Sequence, residues 1–309
     1  VILILYFQYK IEDLEGLCNQ LMAIFRTIGE ALFYSTQNQS VGIILSDVQT
    51  RTSIDFDAYP YFSKISIDSY IDINDLTTLL GNRNISVRQS QEDIENMNEI
   101  QNNIITCRRF PQRHMLPAES RDTGALIAKS FPFAKKMLKF AYHIIGLMSF
   151  YPRWKAIHLR IEGDLMQLSA IRDVGLETFT KSQLQQTIDM ISITPNLSAV
   201  YIASGIQDEK YNNAVNIISK EFPHLAITRK KDILKASPAI KEEFEALCLE
   251  EQALIDWLVC VGAPFFAGLH ASSFAYLAGY MRHYRGFDKE TTHLYPDYQP
   301  CWDAWFPRV

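Results

Sequence analysis

Cysteine is sparse in this chain and wrongly spaced for a framework: Cys18, Cys107, Cys248, Cys260 and Cys301 are odd in number and joined by no C-x-x-C or Cys/His spacing. That excludes a zinc ribbon and points to buried, reduced thiols rather than disulfides. Positive charge is not in surplus. Lys and Arg number 30 against 35 Asp and Glu, so the basic face of a nucleic-acid-coating protein is missing and no nucleic-acid partner is expected. No apolar run nears the roughly 18 residues that cross a bilayer, so no transmembrane segment is expected. The apolar start, Val1 to Phe7, lacks the basic lead and cleavage site of a signal peptide and suits a first buried strand. Leu5-Tyr6-Phe7-Gln8 also looks like the tail of a protease-tag site, which would make the first residues non-native. The N-x-S/T triplets at Asn38, Asn84 and Asn196 are close to the roughly two that chance supplies, so they assign no compartment.

What is present is enough apolar content, 48% of 309 residues, to fill the cores of two ordinary domains. Strand-like and helix-like segments alternate, which predicts an α/β fold with parallel sheets. Strands are expected at Val1–Tyr9, Val41–Leu45, Ala156–Arg160, Ala199–Ala203, Leu225–Thr228 and Phe265–Gly268. Helices are expected at about 19–35, 91–104, 124–148, 181–191, 208–221, 240–261 and 272–284. Residues 46 to 121, rich in Asp, Asn, Tyr and Ser, are expected to be largely irregular. The resulting architecture is two Rossmann-like domains, 1–150 and 151–309, the second ending in a wrapping tail, with the cleft between them as the default ligand site.

Three constellations carry chemistry. In Glu15-Gly16-Leu17-Cys18-Asn19-Gln20, Gly16 permits close backbone approach and the helix start offers N–H groups to an anion. Asn19 donates its amide to that anion or caps the helix. The second, His158-Leu159-Arg160-Ile161-Glu162-Gly163-Asp164, follows a buried strand, and in open α/β folds ligands bind at strand carboxyl ends. Arg160 is a planar fork suited to a diphosphate, and His158 orients groups or shuttles protons. The third is Phe265 through Phe274, a strand turning into a helix headed by Ser272 and Ser273, whose hydroxyls and free N–H groups suit a phosphate. Each has a plainer reading, as a turn with a cap, a surface salt bridge, or a serine N-cap. The third also resembles a nucleophile elbow, but it is not G-x-S-x-G and lacks the ordered Asp–His partners of a hydrolase.

Taken together these segments resemble the GDP-fucose-dependent O-fucosyltransferases, including their large plant branch. The matching pieces are Glu15-Gly16-x-x-Asn19-Gln20, Ala156 through Asp164, Val200 through Gly205, and Gln252 through Asp256 running on to Ser272-Ser273-Phe274. The resemblance implies two Rossmann-like domains of the GT-B glycosyltransferase type and an inverting transfer of fucose from GDP-fucose to a hydroxyl of a protein or glycan acceptor. By position it implies that Arg160 braces the departing diphosphate, with Asn19 touching it from the other domain and Gly16 beside it. Ser272 and Ser273 would hold phosphate oxygens, Asp256 and Phe274 would lie against the base, and His158 and Asp164 would line the donor pocket. Glu15 stands where some relatives keep a base for the acceptor hydroxyl. Related plant enzymes use UDP-rhamnose, and a catalytically silent carbohydrate- or nucleotide-binding protein is the other alternative.

Asp55-Phe56-Asp57 fits an Asp-x-Asp metal motif, and Asp72-Ile73-Asn74-Asp75 is a looser acidic cluster. Both lie far in sequence from the donor motifs, and Asp256 on its helix could equally be a surface carboxylate. With Arg160 and a helix start providing positive field, no metal or other cofactor is expected.

Overall fold

A computed structural model describes residues 4–11, 16–37, 39–51, 62–89, 103–107, 117–163, 169–235 and 238–296. These divide into two compact units. The first holds the described residues up to Thr50 and from Phe62 to Lys135; the second holds Arg51 and the described residues from Lys136 onward.

The first unit is built on a parallel sheet ordered β5-β2-β1-β6, from β1 (Leu5–Tyr9), β2 (Val41–Leu45), β5 (Ile85–Gln89) and β6 (Ile104–Cys107). β2 is buried along its whole length, as a central parallel strand covered on both faces must be. Gly42 has no alternative there, because a Cβ would fall 2.4 Å from the Tyr6 ring. β1 pairs on both sides and buries Phe7 completely, so the Leu5-Tyr6-Phe7-Gln8 string forms a central strand of this sheet. The helix Leu17–Ser35 supplies the core above the sheet, with Leu21, Ile24, Phe25 and Ile28 on its buried stripe.

Residues 46 to 121 are more regular than their composition suggests. Among the described residues they contain β3 (Val48–Arg51), β4 (Phe62–Ile65), the helix Ile73–Gly81, and β5 and β6. The polar residues that mask these elements are partly caps: Asp72 accepts from the Asp75 N–H at 3.0 Å and pairs with Lys135 at 2.8 Å. The expected helix at 91–104 falls mainly outside the described residues, and Ile104 begins a strand. Asn84 and Asn196, the heads of two N-x-S triplets, sit at φ 58° and 57°, turn positions that asparagine tolerates.

The expected helix 124–148 is two helices, Pro117–Ser130 and Lys135–Met148. Phe131-Pro132-Phe133 separates them: Pro132 lacks an N–H and disfavours helical geometry before it, while Phe131 and Phe133 turn inward in edge contact at 4.7 Å.

The second unit carries a five-stranded sheet ordered β11-β10-β7-β8-β9, every pair parallel. Its strands are β7 (Trp154–His158), β8 (Ala199–Ala203), β9 (Ala226–Thr228), β10 (Phe265–Leu269) and β11 (Thr292–Tyr295). β7 and β8 are buried throughout. The crossovers run through helices Leu176–Ser192 and Asp208–Glu221 and through Pro238–Glu245 and Leu249–Gly262. The last two were expected as one helix. They break at 246–248, where the Cys248 N–H donates to Glu251 Oε2 at 2.8 Å and starts the second helix afresh. Cys18, Cys107, Cys248 and Cys260 form no disulfide. Among the described residues no helix is long and apolar enough to cross a membrane.

Candidate active site at the carboxyl edge of the second sheet

The register of the second sheet decides which side chains meet. His158 of β7 lies level with Ala203 of β8 on one side and with Gly268 of β10 on the other. The segments that leave these strands, and the one that leaves β9, therefore emerge along one edge. Arg160 and Glu162 follow β7, Ser204 and Gly205 follow β8, Lys230 follows β9, and Ser272 to Phe274 follow β10. Such an edge is where open α/β sheets bind ligands.

Gly268 lets the helix Ser273–Tyr284 come down onto this edge. A Cβ on Gly268 would sit 2.6 Å from Ala275 Cβ and 3.3 Å from His158 Cβ. The close approach places Phe274 flat on His158, with ring centroids 4.2 Å apart and planes 16° from parallel. His158 is 5% exposed. Ser272 is the N-cap residue of this helix but makes no side-chain cap hydrogen bond; its carbonyl takes the first helical bond from Tyr276 N–H at 2.9 Å. Ser272 and Ser273 are half-buried, at the open end of the helix.

Arg160 Nη1 donates to Glu162 Oε2 at 2.6 Å. Glu162 Oε1 in turn accepts from the Gly205 N–H at 2.9 Å and lies 3.0 Å from Ser204 Oγ, which also reaches the Leu159 carbonyl at 2.8 Å. Burial alone would raise the Glu162 carboxyl; the Arg160 guanidinium, His158 and the Gly205 N–H outweigh it and hold it at about 2. The arginine keeps 21% of its side chain exposed while the glutamate keeps 9%.

Asp256 is not a surface carboxylate. On the helix Leu249–Gly262 it is 3% exposed, with Oδ1 accepting from the Tyr201 hydroxyl at 2.6 Å and Oδ2 paired with the Lys230 ammonium. Burial pushes its carboxyl up, against the pull of Lys230 and Tyr201, and the Tyr201 hydroxyl is pushed well above its ordinary range by burial and by Asp256. Lys230 also lies 3.4 Å from the Ser204 carbonyl.

Of the residues expected at a donor site, His158, Arg160, Ser272, Ser273 and Phe274 gather at this edge, and Asp256 lies buried behind it. Gly16 and Asn19 belong to the first unit. Gly16 is the N-cap of the helix Leu17–Ser35 with extended backbone, and a Cβ there would meet nothing within 4 Å. Asn19 is the third residue of that helix, so the cap position is Gly16's. Glu15 and Asp164 lie outside the described residues, as do Asp55, Asp57 and the basic loop Arg108–His114. Glu162, Ser204, Tyr201 and Lys230 join this edge without a role expected from the sequence motifs. A signal existed for Glu162, two residues from an arginine past a strand end, and for Lys230, two residues past the end of a short strand.

A family model described as GDP-fucose protein O-fucosyltransferase matches residues 30–285. Two crystal structures of POFUT1 in complex with GDP-fucose share the fold. One has a TM-score of 0.53 at 9% identity, covering 96% of this chain and 98% of that one. The other has a TM-score of 0.52 at 9% identity, covering 94% and 97%. No curated protein matches the sequence.

Proposed function

This chain belongs to the GDP-fucose protein O-fucosyltransferase family, and from that premise we propose that it transfers fucose from GDP-fucose to a hydroxyl on a protein or glycan acceptor. The observation that carries the reading is the pairing of adjacent strands β7 and β10. It brings a guanidinium and a serine-headed helix to one edge of one sheet.

Cleaving a glycosyl–phosphate bond builds negative charge on the diphosphate and positive, oxocarbenium-like charge on the sugar. Groups fixed where that negative charge develops lower the barrier. Arg160 offers the diphosphate a permanently charged fork. Ser272 and Ser273 add two hydroxyls at a helix start, where the first-turn N–H groups and the helix dipole favour an anion. Phe274, stacked on His158, gives the base or sugar an apolar wall. Asp256 enters the reading through Lys230 and Tyr201, with which it forms the buried floor behind the base. Gly16 and Asn19 are proposed for the diphosphate and Asp164 for the pocket wall from the resemblance of their motifs alone. Glu15 is proposed as the base that takes the acceptor proton as the hydroxyl attacks opposite the leaving group, which inverts the anomeric centre. With Arg160 and the helix start as the positive field, the transfer is proposed to proceed without a required metal.

Calorimetry with GDP and UDP, followed by turnover of labelled GDP-fucose across protein and glycan acceptors, tests this. Clear preference for GDP and fucose transfer are expected. Equal binding of both nucleotides, or binding with no transfer to any acceptor, would contradict it.

A further inference from the structure

Past His158 the chain leaves the sheet; its last ladder-like contact is the Leu159 N–H to the Ala203 carbonyl at 3.0 Å. Arg160 thus sits on irregular backbone, and a free arginine would lose substantial rotamer entropy on gripping a ligand. Its partner Glu162 is anchored elsewhere: Oε1 is held by the backbone of Gly205 and lies against the Ser204 hydroxyl, both belonging to the turn after β8. β8 is a fully buried central strand, and that turn leaves directly from its end. Ser204 is backed in turn by the Lys230 ammonium, which the buried Asp256 holds.

We propose that Glu162 is the positioning residue of the donor site, fixing the Arg160 guanidinium against the β8 turn so that it meets the diphosphate without reorganisation. This rests on the reading that Arg160 braces that diphosphate. Despite its burial, the Arg160 guanidinium, His158 and the Gly205 N–H hold the carboxyl well below its ordinary range, which favours the charged partner that Arg160 needs.

The two effects of Glu162 on an anionic ligand oppose each other. Its charge partly cancels that of Arg160 and weakens ground-state attraction, while its hydrogen bond fixes the geometry the transition state needs. A positioning role therefore separates kcat from binding. Glu162→Gln can keep an acceptor for Gly205 and Ser204 while turning an NH2 toward Arg160, which breaks only the outer contact.

The test is a double-mutant cycle on GDP-fucose turnover with GDP affinity measured in parallel. Glu162→Gln should lower kcat roughly 10- to 100-fold, the range for residues that orient a working group, with GDP binding unchanged or tighter. In an Arg160→Ala background the same substitution should cost almost nothing further. Wild-type kcat in Glu162→Gln, or an equal loss in both backgrounds, overturns the inference. If Glu162→Gln does not fold, Ser204→Ala removes one hydroxyl from the same anchor and is read on the same cycle, with a smaller kcat loss expected that vanishes without Arg160. A wild-type protein that neither binds GDP nor uses GDP-fucose overturns the function reading itself, and that result precedes any variant.

Discussion

Lys230 and Asp256 form an ion pair inside the second unit, their side chains 9% and 4% exposed. A buried pair of this kind stabilises little relative to an apolar core, but either charge left alone is costly. Asp256→Leu should destabilise the protein by about 3–5 kcal/mol, read by urea denaturation. Adding Lys230→Met should return most of that loss. If the double variant is as unstable as the single one, the pair is not the reason Asp256 is needed.

Gly268 faces Ala275 across the gap between β10 and its helix. Gly268→Ala should cost about 1–3 kcal/mol, as overpacking does, and should disturb the His158–Phe274 stack beside it. Ala275→Gly should recover part of the loss in the double variant, less about 1 kcal/mol for a helical glycine. Thermal melts of the three proteins decide. A Gly268→Ala protein of wild-type stability would mean the helix is not seated as described.

His293 lies with Nδ1 3.3 Å from Lys155 Nζ, which also donates to the Met190 carbonyl at 2.6 Å and Thr194 Oγ1 at 2.9 Å. Burial, with Lys155 and Arg282 nearby, lowers the imidazole from its ordinary 6.5 to about 4. The unfolded chain therefore takes up a proton below pH 6.5 that the folded protein refuses until about pH 4. The His293 contribution should therefore lower stability across that window as pH is lowered and then level off. Glu162 contributes at lower pH: its stabilisation is full above its ordinary 4.5 and is lost as pH falls toward about 2. Melts of His293→Gln should lack the first decline and keep the second. An unchanged first decline would assign it to other groups.

The central strands and their helices were legible because burial on both faces leaves an unbroken apolar run: β2 and β8 fall where the pattern puts them. The motifs proposed for the donor stand out for a different reason, since polar residues of specific type follow the ends of β7 and β10. The breaks at 131–134 and 246–248 were harder. A proline between two buried phenylalanines and a cysteine heading a helix interrupt patterns that otherwise continue. Glu162, Lys230 and Tyr201 were missed because their roles depend on register. Nothing local says that the turn after β8 lies against the segment after β7, or that a tyrosine on one strand reaches a helix carboxylate 55 positions later. For Asp256, its apolar neighbours Ile255 and Trp257 allowed either an exposed or a buried face, and the helix turned it inward.

Arg160 carries the proposed chemistry. Arg160→Ala should remove about 3–4 kcal/mol of transition-state stabilisation, a loss of several hundred-fold in kcat/KM, by analogy with deleting one oxyanion donor. Arg160→Lys should restore little, because a point charge does not reproduce the fork. Near-wild-type turnover in a folded Arg160→Ala protein would remove it from the mechanism.

The most direct measurement is a crystal structure of the chain with GDP bound. The account predicts the diphosphate on the Arg160 guanidinium and against the Ser272 and Ser273 hydroxyls, with Glu162 still joining Arg160 to the β8 turn. A diphosphate bound away from that edge, or one held there with Arg160 turned aside, would contradict it.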